Sequence, residues 1–145
     1  MMKLTSPAFE HGKSIPRQYS CDGGGATPVL QINDVPKTAK SLALIMEDPD
    51  APIGTFIHWL VWNISPGNPI LSQKEAVMYY QGKNSAEKIG YLGPCPPHGT
   101  HRYFFKLYAL DTTLTLQPGA KKHHLEDAMA GHVVEETELM GTYTR

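Results

Sequence analysis

Residues 93–111, GPCPPHGTHRYFFKLYALD, carry Cys95, His98, His101 and Tyr103 to the mouth of an apolar segment. Thiol, imidazole and phenol can ligate a metal, attack a substrate or hold a ligand, and the three-residue steps from Cys95 to His98 to His101 leave all three open. A second cluster lies upstream in MEDPDAPIGTFIHWLVWNI, where Asp48 and Asp50 flank Pro49 and His58 follows ten residues after Asp48. Pro49, Pro52 and Gly54 suit an ordered excursion that folds the carboxylates back toward the His58 imidazole. Taken alone, Asp-Pro-Asp reads as a solvated turn, because both residue types favour turns for local reasons, and a lone buried histidine is usually inert. Two loop-to-strand entries with matching chemistry change that balance, since both can converge on one pocket. Strand alternation puts His101 and Tyr103 on one face and Arg102 on the other, which assigns Arg102 to an ion pair with an acid elsewhere.

Two catalytic or metal readings compete with ligand binding. Cys95, His98 and His101, with His58, have zinc-ligand chemistry, but Pro96 and Pro97 stiffen the chain between the first two and His101 would have to leave the face it shares with Tyr103. A hydrolase would use Cys95, or the His-Asp pair, as a nucleophile-and-base set. No helix entry of the kind that usually presents a nucleophile follows Cys95. The adjacent His123 and His124 read as part of a solvated helix face, and the aromatics Trp59, Trp62, Phe104 and Phe105 as core.

The elements that must position these groups are short strands. Twelve prolines and thirteen glycines in 145 residues cut the chain into brief segments and exclude long helices almost everywhere. The runs SLALIMED (41–48), FIHWLVWNI (56–64) and HRYFFKLYAL (101–110) are apolar, β-branched and aromatic, and read as central strands buried on both faces. One stretch reads as helix, PGAKKHHLEDAMAGH (118–132), where Leu125, Ala128 and Met129 recur at helical spacing and Gly131 stands as a C-cap. The tail VVEETELMGTYTR returns to extended structure.

Bulk properties narrow the function. A chain of 145 residues makes one domain, 1–145, able to fold without a disulfide or metal. A formal net charge of −1 offers no footprint for nucleic acid or an anionic membrane. MMKLTSPAFEHGKSIPRQYS lacks the apolar core of a signal peptide and no later run is long enough to span a bilayer, so no membrane insertion and a cytoplasmic location are expected. Cys21 and Cys95 are accordingly expected as free thiols.

DPDAPIGTFIHWLVWNI and GYLGPCPPHGTHRYFFKLYALD together resemble the two signature regions of the phosphatidylethanolamine-binding protein family, also called Raf kinase inhibitor-like proteins. The likeness extends to YSCDGGGATPVL and MAGHVVEETELMGTYTR, and is to the compact bacterial and archaeal branch. It departs where relatives carry Ser-Pro-Pro-Leu-x-Trp and this chain has Thr27, Pro28, Val29, Leu30 and Ile32. The resemblance implies a mainly β fold: a two-sheet antiparallel β-sandwich with Greek-key connections, a few short peripheral helices and an anion pocket at one end. It places Asp48, Asp50, His58, His101 and Tyr103 in that pocket and Gly93, Cys95 and Pro96 in its wall. It implies no catalytic residues, metal or cofactor, a small anionic or phosphorylated ligand, a protein partner such as a kinase, and a homodimer. A phosphate group would take its donors there from His N–H, Tyr O–H and loop amides held by prolines, with Asp48 fixing a histidine or meeting an ammonium.

Overall fold

A computed structural model describes residues 1–145. The three apolar runs become neighbouring antiparallel strands, β3 (Ser41–Asp48), β4 (Phe56–Ile64) and β7 (Thr100–Leu110). They form the middle of a five-stranded sheet completed by β6 (Tyr80–Gln81) beside β4 and β8 (Val133–Thr144) beside β7, in the order β6-β4-β3-β7-β8. Three short strands, β1 (Lys3–Thr5), β2 (Leu30–Asn33) and β5 (Ile70–Leu71), make the second antiparallel sheet, ordered β1-β2-β5. The expected antiparallel two-sheet architecture is therefore present.

Alternation along β3 explains why it lies at the centre. Leu42, Leu44 and Met46 point between the sheets with Leu4, Leu30, Ile32, Val61, Phe105 and Leu107. Ala43 and Ile45 point the other way and pack with Leu60, Trp62 and Leu110 against Leu125 and Met129 of helix α2 (Lys122–Met129). Each such fully buried large side chain contributes about 1.5–3 kcal/mol relative to an exposed one. The helix falls where its spacing predicts, and Gly131 just beyond it takes a positive φ of 82°. At its start the His124 Nδ1 accepts the Lys121 backbone N–H, and the His124 ring lies tilted against that of His123 with centroids 3.9 Å apart. A four-residue helix α1 (Gln73–Ala76) and a 3-10 turn at Arg17–Tyr19 carry no legible sequence pattern.

The strand β7 departs from the expectation of burial on both faces. Its odd positions, His101 to Ala109, are buried, whereas Arg102 is exposed and Phe104, Lys106 and Tyr108 are half-buried. α2 covers only the β3–β4 side of the sheet, so the outer face of β7 and β8 stays open. Glu47 lies at the boundary, buried between Lys122 of α2 at 2.8 Å and Lys106 at 3.3 Å. Burial alone would raise its pKa, but the two ammonium groups hold it below the usual carboxylate range.

Candidate functional site

The C-terminal end of β3, the start of β4 and the start of β7 lie side by side, because β3 pairs with both. An open cavity of about 680 Å³ sits at this end, closed by the 51–56 excursion and the 92–97 loop. Asp48, His58, Gly93, Cys95, Pro96, His101 and Tyr103 all line it, so seven of the eight residues singled out in the sequence meet at one place.

A β-bulge aims His58. Glu47 pairs with Ile57 and Met46 with Trp59, leaving His58 as an extra residue on β4. Strict alternation would have sent His58 to the α2 side with Leu60 and Trp62. The bulge instead lets both His58 and Trp59 face inward, as bulges beside functional sites commonly do. The His58 ring packs edge-on to Tyr103 with centroids 5.2 Å apart and against Phe56 at 4.8 Å. Its Nδ1 donates to the Leu92 carbonyl at 2.6 Å. Burial pushes the pKa of His58 down, outweighing the raising effects of the Leu92 carbonyl and the Asp48 charge. The neutral ring thus carries its proton on Nδ1 and leaves an Nε2 lone pair without a partner inside the protein.

Asp48 does not fold back onto His58 as its spacing suggests. Its Oδ2 lies 2.6 Å from Nδ1 of His101, and its Oδ1 accepts the Asp50 backbone N–H at 2.8 Å. The physical reason is pairing: β3 and β7 are neighbours in the sheet, and Asp48 continues the inward row of Met46 onto the side that His101 faces. Asp48 and His101 are both buried. Burial, reinforced by the negative charge of Asp48 and Asp50, drives the pKa of Tyr103 upward, so its hydroxyl stays protonated. The Cys95 backbone N–H beside it opposes that rise only in part, and the hydroxyl keeps its proton to donate.

The eighth residue, Asp50, does not line the cavity. Its carboxylate grips Arg102, accepting the backbone N–H at 2.9 Å, Nε at 2.9 Å and Nη2 at 2.8 Å. These bonds to Arg102 hold its pKa down at about 2. Arg102 therefore finds the acid that strand alternation assigned to it, and that acid is one expected in the pocket.

Cys95 also differs from expectation. It is bonded to Cys21, with Sγ atoms 2.09 Å apart, and the chain has no free thiol. The expectation of free thiols fails because the 20–25 segment runs beside the 93–97 loop. The Cys21 N–H donates to the Pro94 carbonyl at 3.0 Å, and Gly93 is so close to the neighbouring turn that a Cβ there would lie 2.4 Å from the Tyr19 oxygen. Glycine is required at that crossing. With its sulfur in a disulfide, Cys95 has no thiolate to serve as a nucleophile or zinc ligand, and Nδ1 of His101 is taken by Asp48.

Sequence reasoning missed several contributors. Leu92 acts through its backbone, which no side-chain pattern reveals. Cys21 was discoverable only from the even cysteine count, and Phe56, Ser85 and the fully exposed Ile53 line the cavity through tertiary placement. No lysine or arginine is among the lining residues, and Asp48 is their one carboxylate.

The family model for phosphatidylethanolamine-binding protein matches residues 5–144. A UPF0098 protein of Chlamydia trachomatis is 48% identical over 149 residues, covering 99% of both chains. Another from Pyrococcus abyssi is 47% identical over 154 residues, covering all of this chain and 86% of its own. The crystal structure of a phosphatidylethanolamine-binding protein homologue from Chlamydia trachomatis superposes with a TM-score of 0.95 at 48% identity, covering 99% of this chain and 97% of that one. Escherichia coli YbcL gives a TM-score of 0.91 at 27% identity, covering 99% and 98%. With the sandwich and this end-on cavity in place, these matches along nearly the whole chain show that it belongs to the phosphatidylethanolamine-binding protein family.

Proposed function

We propose that the chain is a non-enzymatic binding protein whose cavity takes a small phosphate-bearing ligand, such as a phospholipid head group or a phosphorylated small molecule. The observation that carries this reading is the convergence of His58, His101 and Tyr103 on one cavity whose lining contains no fixed cation. A phosphate in such a place is held by N–H and O–H donors rather than by lysine or arginine, which favours a singly charged group. Tyr103 offers its hydroxyl proton directly. The histidines offer Nε2–H only when protonated, because both Nδ1 atoms are already engaged, by Leu92 and by Asp48. Binding is therefore coupled to proton uptake, and a protonated His101 would sit in a buried ion pair with Asp48.

The disulfide bears on location, since such bonds persist where thiol reductants do not reach them. It weighs against the reducing cytoplasm; no helix is long and apolar enough to cross a membrane. A kinase-type protein partner and a homodimer belong to the same proposal and are supported by family membership alone. Sedimentation giving only monomer at micromolar concentration would overturn the dimer.

Calorimetry with inorganic phosphate and with sulfate tests the site. His58→Ala and His101→Ala each weaken binding by about 1 kcal/mol or more, roughly fivefold in Kd. Sulfate has no ionisation between about pH 5.5 and about pH 8.5, so its affinity isolates the protein's own protons and falls toward the alkaline end as histidine is deprotonated. Unchanged affinity in both variants, or a flat profile, overturns the assignment.

A further inference from the structure

The Cys21–Cys95 disulfide has three properties that a purely structural cross-link does not need. Both cysteines are exposed, and both line the cavity. The segments they join are held together without the bond. Cys21 N–H donates to Pro94 O, Tyr91 Oη donates to Tyr19 O at 2.8 Å, and the Tyr143 hydroxyl, within 2.9 Å of Ser20 Oγ, donates to Asp22 at 2.7 Å. The core lies elsewhere, between the sheets and under α2, so opening the S–S bond removes a surface tie and leaves those contacts standing.

The third property is polarity. Nη1 of Arg145 lies 3.3 Å from Sγ of Cys95, while its Nε pairs with Asp22 at 3.3 Å. Arg145 is fixed there by reciprocal backbone bonds with Gly99 at 2.9 and 3.0 Å. A guanidinium beside one sulfur stabilises negative charge on that sulfur, and thiolate is what leaves when a disulfide is attacked. The two sulfurs are thereby inequivalent, with Cys95 favoured as the leaving group and Cys21 as the sulfur attacked.

We propose that Cys21–Cys95 is a thiol–disulfide exchange site for a dithiol reductant, and that its reduction loosens the cavity wall at Cys95 and Tyr103. One thiolate of the reductant attacks Cys21 Sγ, forming a mixed disulfide and expelling Cys95 as a thiolate beside Arg145. The second thiol of the reductant, once deprotonated, displaces Cys21. The protein gains two thiols and the reductant becomes a disulfide, two electrons passing from one to the other. The coupling to the cavity is one of place: Cys95 and Tyr103 line the same cavity, so freeing Cys95 from its tether loosens the wall beside the Tyr103 hydroxyl. The inference concerns the wall and does not depend on which ligand the cavity takes.

The test uses the intact protein with dithiothreitol and no denaturant, counting thiols by maleimide mass shift while circular dichroism follows the fold. Two thiols appear with the β signal unchanged, and the Tyr103 ring resonances shift while those of Trp62, on the α2 side, stay in place. A separate sample with the disulfide intact is exposed to reduced glutathione, a monothiol, and the thiol released is alkylated at once, which traps the mixed disulfide for peptide mapping. The adduct falls mainly on Cys21, and Arg145→Gln evens the distribution and slows reduction by about 3- to 10-fold, as expected when the leaving thiol's pKa rises. Thiols appearing only at denaturant concentrations that unfold the chain would overturn the exchange site. Native reduction with an unmoved Tyr103 would overturn the coupling, and an even adduct distribution in the unsubstituted protein the role of Arg145.

Discussion

Asp48–His101 and Asp50–Arg102 are acid–base pairs two residues apart on one strand end and adjacent on the other, yet they belong to different parts of the molecule. The first lies inside the cavity, its side chains 4% and 10% exposed; the second lies outside, at 29% and 51%. The sole cause is the alternation of β7, which turns His101 inward and Arg102 outward, with the Asp-Pro-Asp turn supplying a carboxylate to each side. Ligand geometry and loop anchoring are thus separate tasks performed by neighbouring residues. Asp50 ties the turn to the outer edge of β7, and Asp48 is left to orient the histidine.

Removing each carboxylate should separate the two tasks. Asp48→Ala leaves a buried imidazole without its partner and is expected to lower the free energy of unfolding by about 2 kcal/mol, whereas Asp50→Ala costs no more than about 1 kcal/mol because water replaces the lost bonds. Urea denaturation of both variants measures this, and an equal or reversed order would break the comparison. Salt sharpens it. At about 1 M ionic strength the screening length falls to roughly 3 Å, so the Asp50→Ala deficit shrinks while the Asp48→Ala deficit persists.

Acid resolves the two sides by pH window. Asp50 titrates at about 2 in the folded chain against 3.8 ordinarily. Its contribution is present above pH 3.8 and lost as pH falls toward 2, so Asp50→Asn lowers stability at neutral pH and converges with the parent protein in strong acid. His58, whose pKa is also depressed, acts in a higher window. The unfolded chain binds its proton more readily, so the stability from keeping the ring neutral is full above pH 6.5 and declines as pH drops through the folded value. Asp48, His101 and Tyr103 face the same ring, so the assignment to His58 rests on its substitution. His58→Asn flattens that part of the stability profile, the smallest of these effects, and an unaltered slope would assign it to another group.

Much of this architecture was legible in the chain. Ser41–Asp48, Phe56–Ile64 and the helix at Lys122–Met129 fall where apolar runs and spacing place them. Local chemistry is sufficient there, because the stretch LALIM (42–46) has no polar position at which to meet water and must lie between two layers. The inward turn of His101 and Tyr103, opposite Arg102, follows from strand geometry in the same way. Other features arise only when distant segments meet. The bulge that aims His58 depends on how β4 registers against β3, and periodicity within β4 predicts the opposite face. Asp48 met His101 rather than His58 because sheet order, not sequence distance, sets which ends adjoin. Cys21 reached Cys95 across 74 residues because Gly93 lets the 17–20 turn and the 93–97 loop touch. The residues that could do chemistry were determined by the sequence alone; their partners were decided by the tertiary structure, because hydrogen bonds and disulfides depend on ångström distances that alternation and composition do not encode.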